Sequence, residues 1–182
     1  IGGSYGVLAA ADPVARDRVS AVLVLGACAD LEALLDRWLV APDPAAPGLF
    51  DPVREGRRRV FLGNLDPLVP APDRPAAAAV LRGLLAGEDP PDPAGTLEDR
   101  TAILLHAARS EAPVPEEEAR VLLDPLRATL AALSPARAAA APSAPVFLLH
   151  AEGDPIVPSA DAADLARALG ALGCGAEVRV TD

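Results

Sequence analysis

The chain contains no methionine, no lysine and no glutamine, and a single asparagine, Asn64. Without a methionine, the opening Ile1-Gly2-Gly3-Ser4 reads as a processed chain or an excerpt from a longer one. The missing lysine and the heavy use of alanine, proline, arginine and glycine fit a GC-rich coding bias, which carries no functional information. Cysteine is scarce. Cys28 and Cys174, the two present, have no metal-ligand spacing and form no disulfide framework, so two free thiols are expected, at least one of them buried. Long hydrophobic runs are also missing. Val19 to Ala29 and Pro145 to Leu149 fall far short of the ~20 residues a membrane span needs. Positive charge is in deficit: 16 arginines against 26 carboxylates leave a net charge of -10. Scattered arginines in an acidic chain exclude a nucleic-acid groove. The one basic cluster, Arg57-Arg58-Arg59, reads as a solvated helix face.

The residues present are those of a folded protein. Hydrophobic residues make up 51% of the chain and the mean hydropathy is +0.27, enough to bury a core despite 20 prolines. The 182 residues match the length of one domain.

Periodicity divides the chain into three stretches. After a glycine-rich turn, Val7, Leu8, Ala11, Val14 and Ala15 predict a helix over 5–18. Val19 to Gly26 is short, β-branched and apolar on both faces, like a strand of a buried parallel sheet. Asp30 caps a predicted helix over 31–40 with Leu31, Leu34, Leu35 and Trp38 on one face. From 41 to 142, proline-rich joints separate amphipathic helical segments at 53–65, 74–87, 96–109 and 115–133, with no strand pattern and no fixed repeat. Pro115 followed by three glutamates suits a helix start. Strand texture returns at 144–150. A turn, a helix from Ser159 to about Leu172 and an alternating strand over 176–181 follow. Strands alternating with helices predict an α/β fold with a parallel sheet covered on both faces. On this reading 1–30 and 143–182 form the core, and 31–142 is a helical insertion.

Two motifs carry chemistry. Gly2-Gly3-Ser4-Tyr5-Gly6 has the G-x-S-x-G pattern, in which a serine sits on a sharp, strained turn at a helix start. Gly2 and Gly6 leave room where a Cβ would clash, and the Tyr5 backbone N–H lies where it can stabilise an oxyanion. In a bare five-residue match, the competing reading is a glycine-rich turn with no such role. The second motif is Val146 to Pro158. It is a strand, then a turn bearing Asp154, at the carboxyl end where parallel sheets place their sites. Asp154 suits a carboxylate that orients a histidine; taken alone it reads first as a turn or N-cap residue.

In the order Ser4 then Asp154, these motifs resemble the α/β-hydrolase superfamily, and the resemblance covers the whole chain. The details are most similar to bacterial hydrolases of the serine aminopeptidase or prolyl-oligopeptidase-like kind. Gly26-Ala-Cys-Ala-Asp30-Leu31 would start the cap insertion and Leu133-Ser134-Pro135 would return the chain to the sheet. Two positions depart from the pattern: Ala151 replaces the glycine after His150, and Val7 replaces a second glycine after the elbow.

The resemblance implies a Ser-Asp-His triad with Ser4 as nucleophile, Asp154 as acid and the Tyr5 N–H in the oxyanion hole. It implies no cofactor and no metal, and a small-molecule acyl substrate: an ester, thioester or short peptide. The family's histidine follows the last strand. His106 and His150 both precede Asp154 and read as structural, the latter packing and hydrogen-bonding in the turn. The resemblance therefore implies strands before Ile1, which would end the strand feeding the elbow, and a histidine loop after Asp182. Alone, these residues are expected to be nearly inactive and to fold poorly. A serine at position 4 argues against haloalkane dehalogenase and epoxide hydrolase chemistry, which uses aspartate there. Trp38, Phe50, Phe61 and the cap leucines read as cap packing before pocket lining. The alternative function is a catalytically inactive binding protein on the same fold.

Overall fold

The computed structural model describes residues 2–40, 51–110 and 112–182. The expected strand end at Ile1, most of the first proline joint and Phe50 lie outside them. The chain divides into two compact units, Ile1–Leu34 with Ala128–Asp182, and Leu35–Arg127.

The first unit is α/β. Its described strands, β1 (Val22–Leu25), β2 (Val146–Ala151) and β3 (Ala176–Thr181), form a parallel sheet in that order. Val22 sits opposite Val146, and Val146 opposite Ala176. Helices α1 (Gly2–Ala11) and α9 (Ala160–Ala171) supply the core against it. Val7 and Ala10 of α1 and Leu165 and Leu169 of α9 pack with Val24 and Leu148 of the strands. α1 stops at Ala11 although apolar spacing continues to Ala15. Pro13 disfavours helix at the residue before it, and Asp12 Oδ1 takes the Val14 N–H at 2.8 Å in a local turn. α9 ends where Gly173 turns left-handed, at φ +82°, and the Cys174 N–H reaches back to Leu169 O at 3.0 Å.

The sheet departs from expectation on its second face. In β1 burial alternates, with Val22 and Val24 inside and Leu23 and Leu25 70% and 65% exposed. Phe147 of β2 joins them on the open side. The apolar run over 19–26 therefore marks one buried face and one greasy open one, because α1 and α9 pack on the same side.

The chain leaves and re-enters this unit through a polar staple. Helix α2 (Leu31–Val40) is capped by Asp30, whose Oδ1 accepts from Glu32 N at 2.9 Å and Ala33 N at 3.3 Å. Ser134 Oγ accepts from Leu31 N at 2.8 Å and donates to Leu130 O at 2.7 Å. Arg137 binds Asp30 Oδ2 at 2.6 Å and Glu32 Oε2 at 3.0 Å. These partners, about a hundred residues apart, close the base of the insertion.

The second unit is helical throughout its described residues. It contains the later part of α2, then α3 (Pro52–Gly63), α4 (Leu65–Leu68), α5 (Arg74–Leu85), α6 (Asp99–Arg109) and α7 (Glu116–Leu123); a 3₁₀ turn leads into α8 (Arg127–Ala132). Asp51 caps α3 by accepting from Val53 N at 2.8 Å and Arg54 N at 3.1 Å, with Pro52 in the first turn.

The arginine cluster is not the solvated face that its charge suggests. Arg57 is buried, and its guanidinium donates to Trp38 O at 3.0 Å and Ser110 O at 2.9 Å. Arg58 donates to Ala108 O at 2.8 Å and Leu84 O at 3.3 Å. These carbonyls sit at the ends of α2, α5 and α6, where intrahelical donors run out. Two arginines of one helix thus donate to carbonyls at the ends of three others. Only Arg59 points to water, paired with Glu55. No helix among the described residues is long and apolar enough to cross a membrane.

Candidate active site

Ser4 lies in the first turn of α1 rather than on a strained turn before it, and no described residue other than glycine has a positive φ. Its side chain is wholly buried. The hydroxyl donates to Cys28 O at 2.8 Å and accepts from Cys28 N at 3.2 Å, so both of its capacities are engaged by one backbone unit just beyond β1. Close packing falls on Gly3, where a Cβ would collide with Val24 and lie 3.4 Å from Leu25 O. Nothing stands within 4 Å of a Cβ at Gly6, so the crowding expected there is absent. Tyr5 shares the first turn, where the helix dipole is positive, and its side chain is 43% exposed.

Asp154 follows β2 in a tight Asx turn. Its Oδ1 accepts from Ile156 N at 2.8 Å and Val157 N at 3.1 Å. Its Oδ2 is spared this work. A Cβ on Gly26 would lie 3.4 Å from Oδ2, and Gly26 adopts φ +62°, a conformation that glycine tolerates best. Gly3 therefore touches the end of β1 and Gly26, the next residue along, faces Asp154. The two sequence-predicted groups are gathered at the carboxyl ends of adjacent parallel strands.

His150 ends buried on β2. Its Nε2 lies 2.7 Å from Val157 O and 3.7 Å from Asp154 Oδ2. His106 is elsewhere, exposed in the last turn of α6 in the second unit. Trp38 and Phe61 also belong to that unit. They pack with Leu35, Leu39, Leu122 and Arg57 around a cavity of about 10 Å³, room for one water at most.

Sequence reasoning missed Cys28 and Asp161. The Cys28 backbone holds the Ser4 hydroxyl. Burial, reinforced by the neighbouring Asp161 carboxylate, pushes the Cys28 thiol up from 9.0 to about 12. Both residues are buried, and Cys28 Sγ also lies 3.1 Å from Asp30 O. Burial raises Cys174 as well. A contact across 24 residues between a serine and a main-chain amide leaves no trace in residue type. Among the described residues no group of three His, Cys, Asp or Glu side chains could hold a metal ion.

No protein-family model matches the chain, and no curated protein matches it.

Proposed function

We propose that these residues belong to a serine hydrolase of the α/β-hydrolase kind, with Ser4 as nucleophile and Asp154 as the acid of a Ser-Asp-His triad. The observation that supports it most is the convergence at the carboxyl end of β1, where Gly3 packs on Val24 and Gly26 faces Asp154 Oδ2. In this reading Ser4 Oγ attacks the acyl carbon of an ester, thioester or short peptide. A histidine takes the hydroxyl proton and returns it to the leaving group, and water then releases the acyl group. The Tyr5 N–H faces the developing oxyanion, and Asp154 Oδ2 orients the imidazole. Neither His106 nor His150 suits the base, since one is exposed in the helical unit and the other is engaged at Val157 O. Attack also requires Ser4 to exchange Cys28 O for the base as acceptor of its proton.

A second reading, a non-catalytic binding protein on the same fold, draws on one observation: Ser4 is wholly buried and both of its hydrogen-bonding capacities are engaged. One experiment separates the two. The protein expressed from its complete gene is treated with a fluorophosphonate probe near neutral pH. Labelling that disappears in Ser4→Ala is the expected result for the hydrolase. A folded protein that takes up no probe at any pH near neutral is a binding protein or a degenerate relative.

A further inference from the structure

We infer that His150 is a positioning residue that acts through Asp154: it fixes the turn so that Oδ2 alone is presented to a catalytic partner. The inference deepens the hydrolase reading and takes its functional meaning from it. Its geometric basis stands on four observations. His150 is 2% exposed, so its ring is held by packing. Its Nε2 lies 2.7 Å from Val157 O, which can only accept, so Nε2 carries a proton. Nδ1 is buried with no hydrogen-bond partner among the described residues, so the ring makes its hydrogen bond through Nε2. Finally, Val157 is the residue whose own N–H binds Asp154 Oδ1, at 3.1 Å.

The chain of restraint is therefore closed. The imidazole grips the Val157 carbonyl, the Val157 and Ile156 amides grip Oδ1, and Oδ2 is left between Gly26 and the edge of the imidazole, 3.7 Å from Nε2. One carboxylate oxygen serves the turn and the other serves the partner. Catalytic carboxylates lose their effect when displaced by small distances, so a group that sets this orientation sets the rate without touching substrate.

The test compares His150→Leu, which keeps apolar bulk and removes the donor, with His150→Gln, which restores an N–H at similar reach. The protein is expressed from its complete gene. Two quantities are read: the rate of fluorophosphonate labelling at Ser4 and the amide hydrogen-exchange protection of Ile156 and Val157. The expected result is that His150→Leu labels at least about tenfold more slowly and loses protection at both amides. His150→Gln recovers protection and labels within about threefold of the wild type. Wild-type rate and protection in a folded His150→Leu protein would overturn the inference. So would a His150→Gln protein as impaired as His150→Leu, since the ring would then act by shape alone. If the unsubstituted protein takes up no probe, the hydrolase reading falls and the exchange data alone decide the positioning role. If His150→Leu does not fold, His150→Asn, whose amide is too short to reach Val157 O, replaces it under the same criteria.

Discussion

Cys28 illustrates how burial alters the chemistry of a single group. Its thiol keeps its proton in the folded chain up to about pH 12, whereas an unfolded cysteine releases it near 9.0. The folded form then holds a proton that the unfolded form has lost. Stability from this source is complete below about pH 9 and falls as pH rises from about 9 to about 12. The stability difference between wild type and Cys28→Ala should therefore shrink across that window, as read from urea unfolding at a series of alkaline pH values. The same burial protects both thiols from reagents. A disulfide-exchange reagent at pH 8 should titrate no cysteine in the native protein and two after denaturation. Rapid native labelling of Cys28 would show that the Ser4–Cys28 contact opens freely in solution.

Among elements, α3 carries the sharpest contrast. Arg57 and Arg59 stand two residues apart, one buried on two helix-end carbonyls and one in water. Arg57→Ala should cost about 2–4 kcal/mol because it strands acceptors inside the helical unit. Arg59→Ala should change stability by no more than about 0.5 kcal/mol. Denaturant unfolding of the two variants checks both. The helices themselves were legible because their causes are local. Leu31, Leu34, Leu35 and Trp38 define a face, Asp30 caps that helix, and prolines mark the joints of the insertion. The roles of Arg57 and Arg58 were not legible, because a run of like charge reads as a solvated face until the carbonyls of other helices are in view. The strand at 22–25 lies between these cases. Its position followed from β-branched composition, but which side was covered depended on where α1 and α9 lie. For the candidate site, the residue types at Ser4 and Asp154 could be read from the pattern. The helical setting of Ser4 and its engagement by Cys28 could not, being set by packing across β1.

The molecule combines a parallel sheet with a unit that is helical throughout its described residues, and the sheet has one open apolar face. Val24 and Leu25 are adjacent in sequence, yet one is 1% and the other 65% exposed. Val24→Ala should destabilise by about 2 kcal/mol through lost burial, whereas Leu25→Ala should stay within about 0.5 kcal/mol. Equal losses in the two unfolding curves would mean that the open face is covered in solution.

The pairing of Val22 with Val146 also sets the order in which the chain can assemble. The two strands are joined by about 120 residues, and the entropy of closing such a loop grows only with the logarithm of its length. Doubling the insertion would cost only about 0.6 kcal/mol, so its length is nearly free to drift over evolution while the strand register stays fixed. In time rather than energy the consequence is larger. The contacts of the helical unit span shorter stretches of chain and can form earlier, whereas the first two strands must find each other across all of it. In refolding, protection of the strand amides at 22–25 should lag behind that of the helices at 74–85 and 99–109.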